Sequence, residues 1–220
     1  MTGKTIGILI VDDYAVVRQG LRALIDTAPD MQVVGEAADG LTAVQQANSL
    51  RPDVIIMDLM LPRLDGIEAI IAIRQDNNQA RVLVLTNFGD EPRVLAALRA
   101  GAQGYLLKDA VLTDVITAIR EVNVGKLTLH PSINHILMLA MQQMPEVEVK
   151  TAVSPTLTNR EKDVLQLVAQ GLTNQTIADQ LQIDERTVRI HVSHILQKLS
   201  LENRTQAALY ALRHGFATLE

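Results

Sequence analysis

The chain of 220 residues contains no cysteine and no tryptophan, and aromatic residues make up only 2% of it. The absence of cysteine excludes disulfide bonds, thiolate zinc sites and a thiol nucleophile, and it is compatible with a reducing compartment. Because aromatic side chains are few and the hydrophobic content is 48%, we expect a core of valine, isoleucine, leucine and alanine. At this length the chain can form one large domain or two modest ones.

Long apolar runs and targeting signals are also missing. No run approaches the roughly 20 apolar residues that cross a membrane. The N-terminus lacks the basic, apolar and small-residue pattern of a signal peptide. We therefore expect a soluble cytoplasmic protein with no membrane partner.

The chain has no concentration of positive charge. Its net charge is −5, residues 1–126 hold 12 basic and 16 acidic residues, and residues 155–220 hold 7 of each. Such a balance produces no long-range field that attracts nucleic acid. Any DNA binding must therefore come from a local group of side chains.

Glycine-rich phosphate loops are absent as well, because neither GxGxxG nor GxxxxGK[ST] occurs. Gly101 and Gly104 resemble half of such a loop, but a helix cap and a turn account for them. We therefore do not expect a nucleotide-binding loop.

What is present is a stretch around which the first half is organised, residues 53–66, with the sequence DVIIMDLMLPRLDG. Four apolar residues lead into Asp58, and a turn-like segment precedes a helical pattern that begins at Ile67. This pattern predicts a buried strand that ends at Asp58. Ligands of open α/β sheets bind outside the carboxyl ends of the strands, so Asp58 is a candidate site residue. A lone aspartate at such a position is more often a turn residue, so further polar groups are needed.

Three other apolar runs also end in polar residues, which are Asp12 with Asp13, Thr86, and Lys108. Parallel strands would place these ends side by side around one cleft. Neighbouring carboxylates repel one another without a cation, and their hard oxygen atoms suit Mg²⁺. A carboxylate can also accept a phosphoryl group, while a metal ion and an ammonium group neutralise the transferring charge.

The same region alternates strands with helices five times between residues 6 and 124. A helix over residues 91–100, for example, is expected to end at a Gly101 cap. Such alternation predicts an α/β domain with a doubly wound, five-stranded parallel sheet that helices cover on both faces.

Residues 5–124 resemble a response-regulator receiver domain, which is flavodoxin-like, through the motifs VDD (11–13), MDLMLPRLDG (57–66), LT (85–86) and GAQGYLLKD (101–109). The resemblance implies a phosphoacceptor in Asp58, phosphoryl contacts from Thr86 and Lys108, a switch aromatic in Tyr105, and Mg²⁺ ligation by Asp12, Asp13, Asp58 and the backbone carbonyl of Met60. Many receivers have proline after the lysine, whereas this chain has Asp109, so we expect a trans peptide bond there.

Two other classes of function are alternatives to a regulator. A Mg²⁺-dependent phosphatase of similar topology would need an acid/base aspartate two residues after the nucleophile, and that residue is Met60. A phosphorylation-independent binding module with the receiver fold would usually have an altered aspartate or lysine, and both are intact. The sequence therefore favours a non-enzymatic regulator whose partners are a sensor histidine kinase and, when it is phosphorylated, a second copy of itself.

Beyond residue 125 the pattern changes. Residues 133–144 have the spacing of one amphipathic helix, and Pro145 ends it. Residues 145–156 are bracketed by prolines and lack a long periodic pattern, which is typical of a linker. We predict a first domain over residues 1–125, a linker with one helix over 126–156, and a second domain over 157–220.

The second domain has four helical patterns. Thr158 and Glu161 have the spacing of a capping box, and Thr173, Asp184 and Asn203 are expected to cap the next three helices. Two short helices joined by a tight turn, with the second one longer and polar on its outer face, predict a helix-turn-helix.

Residues 157–208 resemble a LuxR-type DNA-binding domain, and the whole chain resembles a response regulator of the NarL/FixJ type. The resemblance implies that the helix over residues 184–199 lies in the major groove of double-stranded DNA. Gln175 departs from the family pattern, which often has lysine there. Its side-chain amide is neutral, so one contact to a DNA phosphate would be lost.

The outer face of that helix follows from its inner one. With Val188, Val192 and Ile195 facing inward, the predicted DNA-facing residues are Arg186, Arg189, Ile190, Ser193 and Gln197. Lys198, near the end of the helix, is predicted to contact a backbone phosphate.

Interpretations other than DNA contact also fit some residues of this helix. Arg186 and Arg189 alone could form an ordinary solvated face, but their place on the outer face of a helix-turn-helix favours DNA. His191 and His194 are spaced as two metal ligands could be. No third ligand lies nearby in the sequence, so packing or a phosphate-facing role is expected for them.

Overall fold

The computed structural model describes residues 5–77, 79–87, 89–131, 133, 157–201 and 203–216. The chain divides into two compact units, Met1–Ile133 and Asn134–Glu220. The helix predicted over residues 133–144 and the linker predicted over 145–156 lie outside the described residues, apart from Ile133 itself. Within the described residues, no helix has the length and apolar character needed to span a membrane.

The first unit alternates strands with helices because short apolar runs are separated by amphipathic segments. Its strands are β1 (Ile6–Val11), β2 (Met31–Ala37), β3 (Val54–Met57), β4 (Val82–Thr86), β5 (Gly104–Leu107) and β6 (Thr128–Leu129). Its helices are α1 (Ala15–Asp26), α2 (Gly40–Leu50), α3 (Gly66–Asp76), α4 (Glu91–Ala100) and α5 (Leu112–Asn123).

All strands are parallel, and their order is β2-β1-β3-β4-β5-β6. The chain therefore builds the sheet outward in both directions from β1, as a doubly wound fold does. In the β1–β3 pair, Val11 lies opposite Met57. The residues that follow these two strands, Asp12 and Asp58, consequently leave the sheet side by side.

The prediction of five strands is wrong by one, because β6 adds a sixth strand along the β5 edge. Thr128 pairs with Gly104 and Leu129 pairs with Tyr105. A two-residue strand is too short to show a period in the sequence. It extends the first unit past residue 125, as far as Ile133.

The second unit consists, in its described part, of α6 (Asn159–Ala169), α7 (Asn174–Leu181), α8 (Glu185–Lys198) and α9 (Arg204–Arg213). The core of the unit is aliphatic and includes Val164, Leu165, Val168, Ile177, Val188 and Ile195. Arg204 donates to Asn174 Oδ1 over 2.6 Å and also to the Leu172 carbonyl, so α9 is tied to the start of α7.

The capping residues predicted from the sequence lie at the helix ends, and one of them lacks the expected hydrogen bond. Gly101 ends α4 in the left-handed conformation, and Thr158 with Glu161 forms the expected capping box on α6. Thr173 and Asn203 cap α7 and α9 with their side chains. The prediction for α8 is wrong in detail, because Asp184 occupies the N-cap position without a capping hydrogen bond from its side chain.

Candidate functional site

Polar side chains from four strand ends meet at one edge of the sheet. Asp12 follows β1, Asp58 follows β3, Thr86 ends β4 and Lys108 follows β5. Lys108 Nζ lies 2.5 Å from Asp12 Oδ2 and 2.6 Å from Asp58 Oδ2. The carboxylates are 2% and 5% exposed, so this cluster is largely shielded from water.

The backbone around Asp58 fixes its carboxylate. Oδ1 accepts hydrogen bonds from the amides of Leu59 at 2.7 Å and Met60 at 3.4 Å, which leaves Oδ2 to Lys108. The loop returns through Gly66, whose amide donates to the Leu59 carbonyl over 2.9 Å. A Cβ atom at Gly66 would lie 2.3 Å from the Asp58 carbonyl oxygen, so only glycine permits this close approach.

Burial and pairing act in opposite directions on the charges of the cluster. Burial raises the pKa of Asp12, and this effect exceeds the lowering by the hydrogen bonds from Lys108 and the Tyr14 amide. Burial also lowers the pKa of Lys108, but hydrogen bonds to Asp12 and Asp58 outweigh it and the net shift is upward. The ammonium group therefore stays charged between the two carboxylates.

The acidic residues can hold a divalent cation. Carboxylate oxygens of Asp12, Asp13 and Asp58 all lie within 4.8 Å of one another, and Asp13 is exposed. Oxygen ligands with access to water fit Mg²⁺, which keeps several waters when it binds protein. Met60, predicted to add its carbonyl, lies in the same loop with its amide directed at Asp58. Arg18 steadies the acidic loop, donating to the Asp12 carbonyl over 2.8 Å, and no pattern in the sequence reveals this contact.

Thr86 and Tyr105 are both fully buried. Within the described part of the chain, Thr86 Oγ1 has no hydrogen-bond partner, although buried hydroxyls are almost always paired. Burial, and then the charge of Asp90, raise the pKa of Tyr105 far above its ordinary value. The aromatic ring is therefore already covered in this structure, with its phenol neutral.

A second candidate surface lies on α8. The predicted DNA-facing side chains Arg186, Arg189, Ile190, Ser193 and Gln197 are all exposed. Val188 and Ile195 are buried on the opposite face. Arg189 is paired with Glu185 one turn earlier, at 2.6 Å, and both side chains reach solvent. His191 and His194 are not part of any cluster of three metal-ligating residues among the described residues.

Lys198 is placed differently from the other predicted contacts. Its Nζ lies 2.7 Å from Oε2 of Glu161, a residue that is 3% exposed. The same oxygen accepts hydrogen bonds from the Thr158 amide and hydroxyl. The sequence identified Glu161 as half of a capping box but gave no sign that it reaches α8.

Comparison with known proteins assigns a family to each part of the chain. Residues 8–120 match the response regulator receiver domain, and residues 155–211 match the luxR family of bacterial regulatory proteins. The response regulator protein VraR of Staphylococcus aureus is 38% identical over 211 residues, which cover 96% of this chain and 98% of VraR.

Solved structures of other response regulators are similar to this chain over part or most of its length. A LuxR-family two-component response regulator from Aurantimonas sp. SI85-9A1 is 36% identical with a TM-score of 0.61, over 64% of this chain and 100% of that one. The response regulator ChrA of a heme-sensing two-component system is also 36% identical, with a TM-score of 0.53, over 97% of this chain and 100% of ChrA.

A receiver domain followed by a helix-turn-helix domain defines a regulator that controls transcription in response to phosphorylation. The chain belongs to the two-component response regulators with a LuxR-type output domain, and it is similar to VraR along nearly its whole length.

Proposed function

We propose that Asp58 is the phosphoacceptor and that a phosphohistidine of a sensor histidine kinase is the donor. A carboxylate oxygen of Asp58 forms a bond to phosphorus, the phosphorus–nitrogen bond of the donor breaks, and the imidazole leaves. Lys108 and the amides of Leu59 and Met60 hold the attacking carboxylate in position. Bound Mg²⁺, held by Asp12, Asp13, Asp58 and the Met60 carbonyl, would neutralise charge on the transferring group.

The buried hydroxyl of Thr86 carries this proposal. It is the residue of the cluster whose polar atom lacks a partner in the described chain, and it ends the strand next to Asp58. An unpaired buried hydroxyl costs stability, so its presence fits a ligand that completes its hydrogen bonding. A phosphoryl oxygen on Asp58 would supply that acceptor.

The phosphoacceptor is tested by mass. The full chain is incubated with Mg²⁺ and a small phosphodonor, and its intact mass is measured. We expect one added phosphoryl group in the wild type and in Asp109→Asn, a control that changes an exposed aspartate next to Lys108. Asp58→Asn should gain none, and stable modification of this variant at the wild-type level would assign the phosphoryl group elsewhere.

The output half of the proposal concerns DNA. Phosphorylation is expected to change contacts between the domains and favour a homodimer, because a module with balanced charge binds DNA weakly alone. Two copies of α8 would then enter successive major grooves about 10 bp apart. A protein that acts on promoter DNA in this way works in the cytoplasm. Analytical ultracentrifugation with and without a phosphoryl mimic measures the dimer, and one unchanged mass at all concentrations contradicts it.

Within α8, we propose that the exposed side chains contact the base edges of DNA, while the residues that pack against α8 hold the helix in place. Arg189 can bond guanine with both ends of its guanidinium group, and Ile190, 46% exposed, can meet a thymine methyl. Arg186, Ser193 and Gln197 extend the same face. Gln175 on α7 bonds Asp179 over 3.0 Å and offers no positive charge to a phosphate.

A further inference from the structure

Glu161 is a buried carboxylate whose hydrogen bonds come from two separate helices. It is 3% exposed, and its Oε2 accepts from the Thr158 amide at 2.8 Å, the Thr158 hydroxyl at 2.9 Å and Lys198 Nζ at 2.7 Å. Thr158 and Glu161 belong to the start of α6, whereas Lys198 is the last residue of α8. The ion pair therefore joins the end of the predicted recognition helix to the first helix of the domain.

The two partners depend on each other to different degrees. Glu161 is shielded from water, so without the ammonium its negative charge would remain buried beside only the two Thr158 donors. Lys198 is 33% exposed, so its ammonium could be solvated if it left. If Lys198 moved to a DNA phosphate, the buried carboxylate of Glu161 would therefore lose its counter-charge. The free energy of that loss opposes the move.

We infer that Lys198 is a positioning residue, held by Glu161, which sets the angle of α8 on the domain, and that it is not a phosphate contact. This inference rests on the proposed binding of DNA by α8. It predicts that loss of either partner weakens DNA binding, although one partner is a cation and the other is an anion.

The signs of the effects test the inference. Binding of phosphorylated full-length protein to a selected DNA site is titrated over a range of salt concentrations. If Lys198 positions α8, Lys198→Met and Glu161→Gln should each weaken binding at least fivefold, and the salt slope should stay at the wild-type value. Lys198→Arg, which keeps the charge and a donor, should restore most of the affinity.

A phosphate contact gives the opposite pattern. Lys198→Met would then lower the salt slope by about one. Glu161→Gln would release Lys198 and remove a negative charge, so binding would tighten. Either result overturns the positioning role. If the wild type selects no DNA at all, the proposed function fails instead. Circular dichroism of each variant confirms that the titrations report folded protein, and Lys198→Met retains the length of the side chain.

A second feature of the first unit carries an independent inference. Residues 126–131, which we call the exit segment, leave α5 and run along the β5 edge. The Thr128 amide donates to the Gln103 carbonyl and the His130 amide donates to the Tyr105 carbonyl, each over 2.9 Å. Glu121 at the end of α5 fixes the start of the segment through Lys126 and the Thr128 hydroxyl. The chain that leads toward the second unit is thus bonded to the predicted switch residue itself.

Beyond the exit segment, Ile133 packs against the loop that follows β4. Ile133 is fully buried, and its Cδ1 lies 3.7 Å from the point where Gly89 would carry a Cβ atom. Leu107 closes the same contact, with its Cδ2 3.4 Å from that point. Gly89 follows Thr86 by three residues, so the loop that Ile133 packs against begins at the residue proposed to bond a phosphoryl group on Asp58.

We propose that phosphorylation of Asp58 loosens the exit segment from the β5 edge. The proposal rests on the proposed role of Asp58. Amide hydrogen exchange measured by NMR tests it in full-length protein whose phosphorylation is verified by mass. The Thr128 and His130 amides should exchange at least tenfold faster after phosphorylation, whereas the Ile6 amide, bonded to Asp30 at the opposite side of the sheet, should not change.

Two variants change the contact between Ile133 and Gly89 in opposite directions. Ile133→Ala removes the packing and should give fast exchange at Thr128 and His130 without phosphorylation. Gly89→Ala adds a methyl group at ordinary contact distance and should slow the phosphorylated protein's exchange. Complete phosphorylation with unchanged exchange at both amides overturns the proposal and leaves the phosphoacceptor intact. A protein whose mass does not change on phosphodonor treatment overturns the phosphoacceptor, and this inference with it.

Discussion

Lys108 Nζ lies 2.6 Å from Asp58 Oδ2, although the two residues follow strands that are separated by β4. The same ammonium lies 2.5 Å from Asp12, so two buried carboxylates share one positive charge. Like charges this close are costly unless a cation lies between them. The resting cluster is therefore held together by Lys108, and removing this residue exposes the repulsion.

Lys108→Met should reduce the free energy of unfolding by about 3 kcal/mol in the absence of divalent cations, because the partners of a buried ion pair lose their counter-charge. Mg²⁺ should then stabilise the variant more than the wild type, since the metal replaces the lost ammonium. Urea denaturation of the full chain with and without Mg²⁺ measures both effects. Lys126→Met, which breaks a more exposed pair with Glu121, should cost about 0.5 kcal/mol or less. If Mg²⁺ raised the free energy of unfolding equally in Lys108→Met and in the wild type, the metal would not replace the lost ammonium group.

Thr86→Val should stabilise the unphosphorylated protein by about 1 kcal/mol, because it removes a buried hydroxyl that has no partner among the described residues. The same variant should lose most of the dimer formed on phosphorylation, since valine cannot bond a phosphoryl oxygen. Chemical denaturation and analytical ultracentrifugation provide the two measurements. Thr205→Val is the control, because Thr205 is buried and has a partner, so its loss should destabilise. Destabilisation by Thr86→Val would mean that its hydroxyl is satisfied.

Much of the receiver architecture could be predicted from strand ends. The apolar runs of β1, β3, β4 and β5 end at polar residues and parallel pairing brings those ends together, so the sequence predicts Asp12, Asp58 and Lys108 near one another, where the structure has them. Unbroken apolar runs and amphipathic helices are local patterns, so the sequence displays them directly.

The features that the sequence missed depend on tertiary contact. β6 has two residues and exists only because β5 offers an open edge, so no local period could reveal it. For Lys198, helical spacing predicts the direction of the side chain but not its partner. Its partner Glu161 lies 37 residues earlier in the chain. Burial of a charged pair across two helices cannot be deduced from either helix alone.

The Glu161 pair predicts a particular response to acid. Burial alone would raise the pKa of Glu161, but hydrogen bonds from Lys198 and Thr158 prevail and lower it to about 2, from an ordinary value of 4.5. A depressed carboxyl pKa stabilises the fold above the unfolded value, and this stabilisation is lost as pH falls from about 4.5 toward 2. Hydrogen exchange of α6 amides at pH 7, 4 and 3 measures it in the full chain.

Glu161→Gln should remove that part of the pH dependence, because the substituted side chain does not titrate. Glu185→Gln is the matched control, since Glu185 is solvent-accessible and its ion pair with Arg189 lies within α8. Acid destabilisation of α6 that is identical in Glu161→Gln and the wild type would show that other carboxylates are responsible.

Arg189→Ala should cost about 1–3 kcal/mol of DNA binding and relax preference at a single base position, because a bidentate contact to guanine is lost. To reach a base, Arg189 must leave Glu185, and this step costs little because the pair is exposed. Glu185→Ala should therefore retain or slightly improve affinity. Titrations of the phosphorylated protein on a selected site and its single-base variants measure the preference. If Arg189→Ala weakens every site alike, Arg189 contacts a phosphate, and base readout on α8 must come from Ile190 and its neighbours.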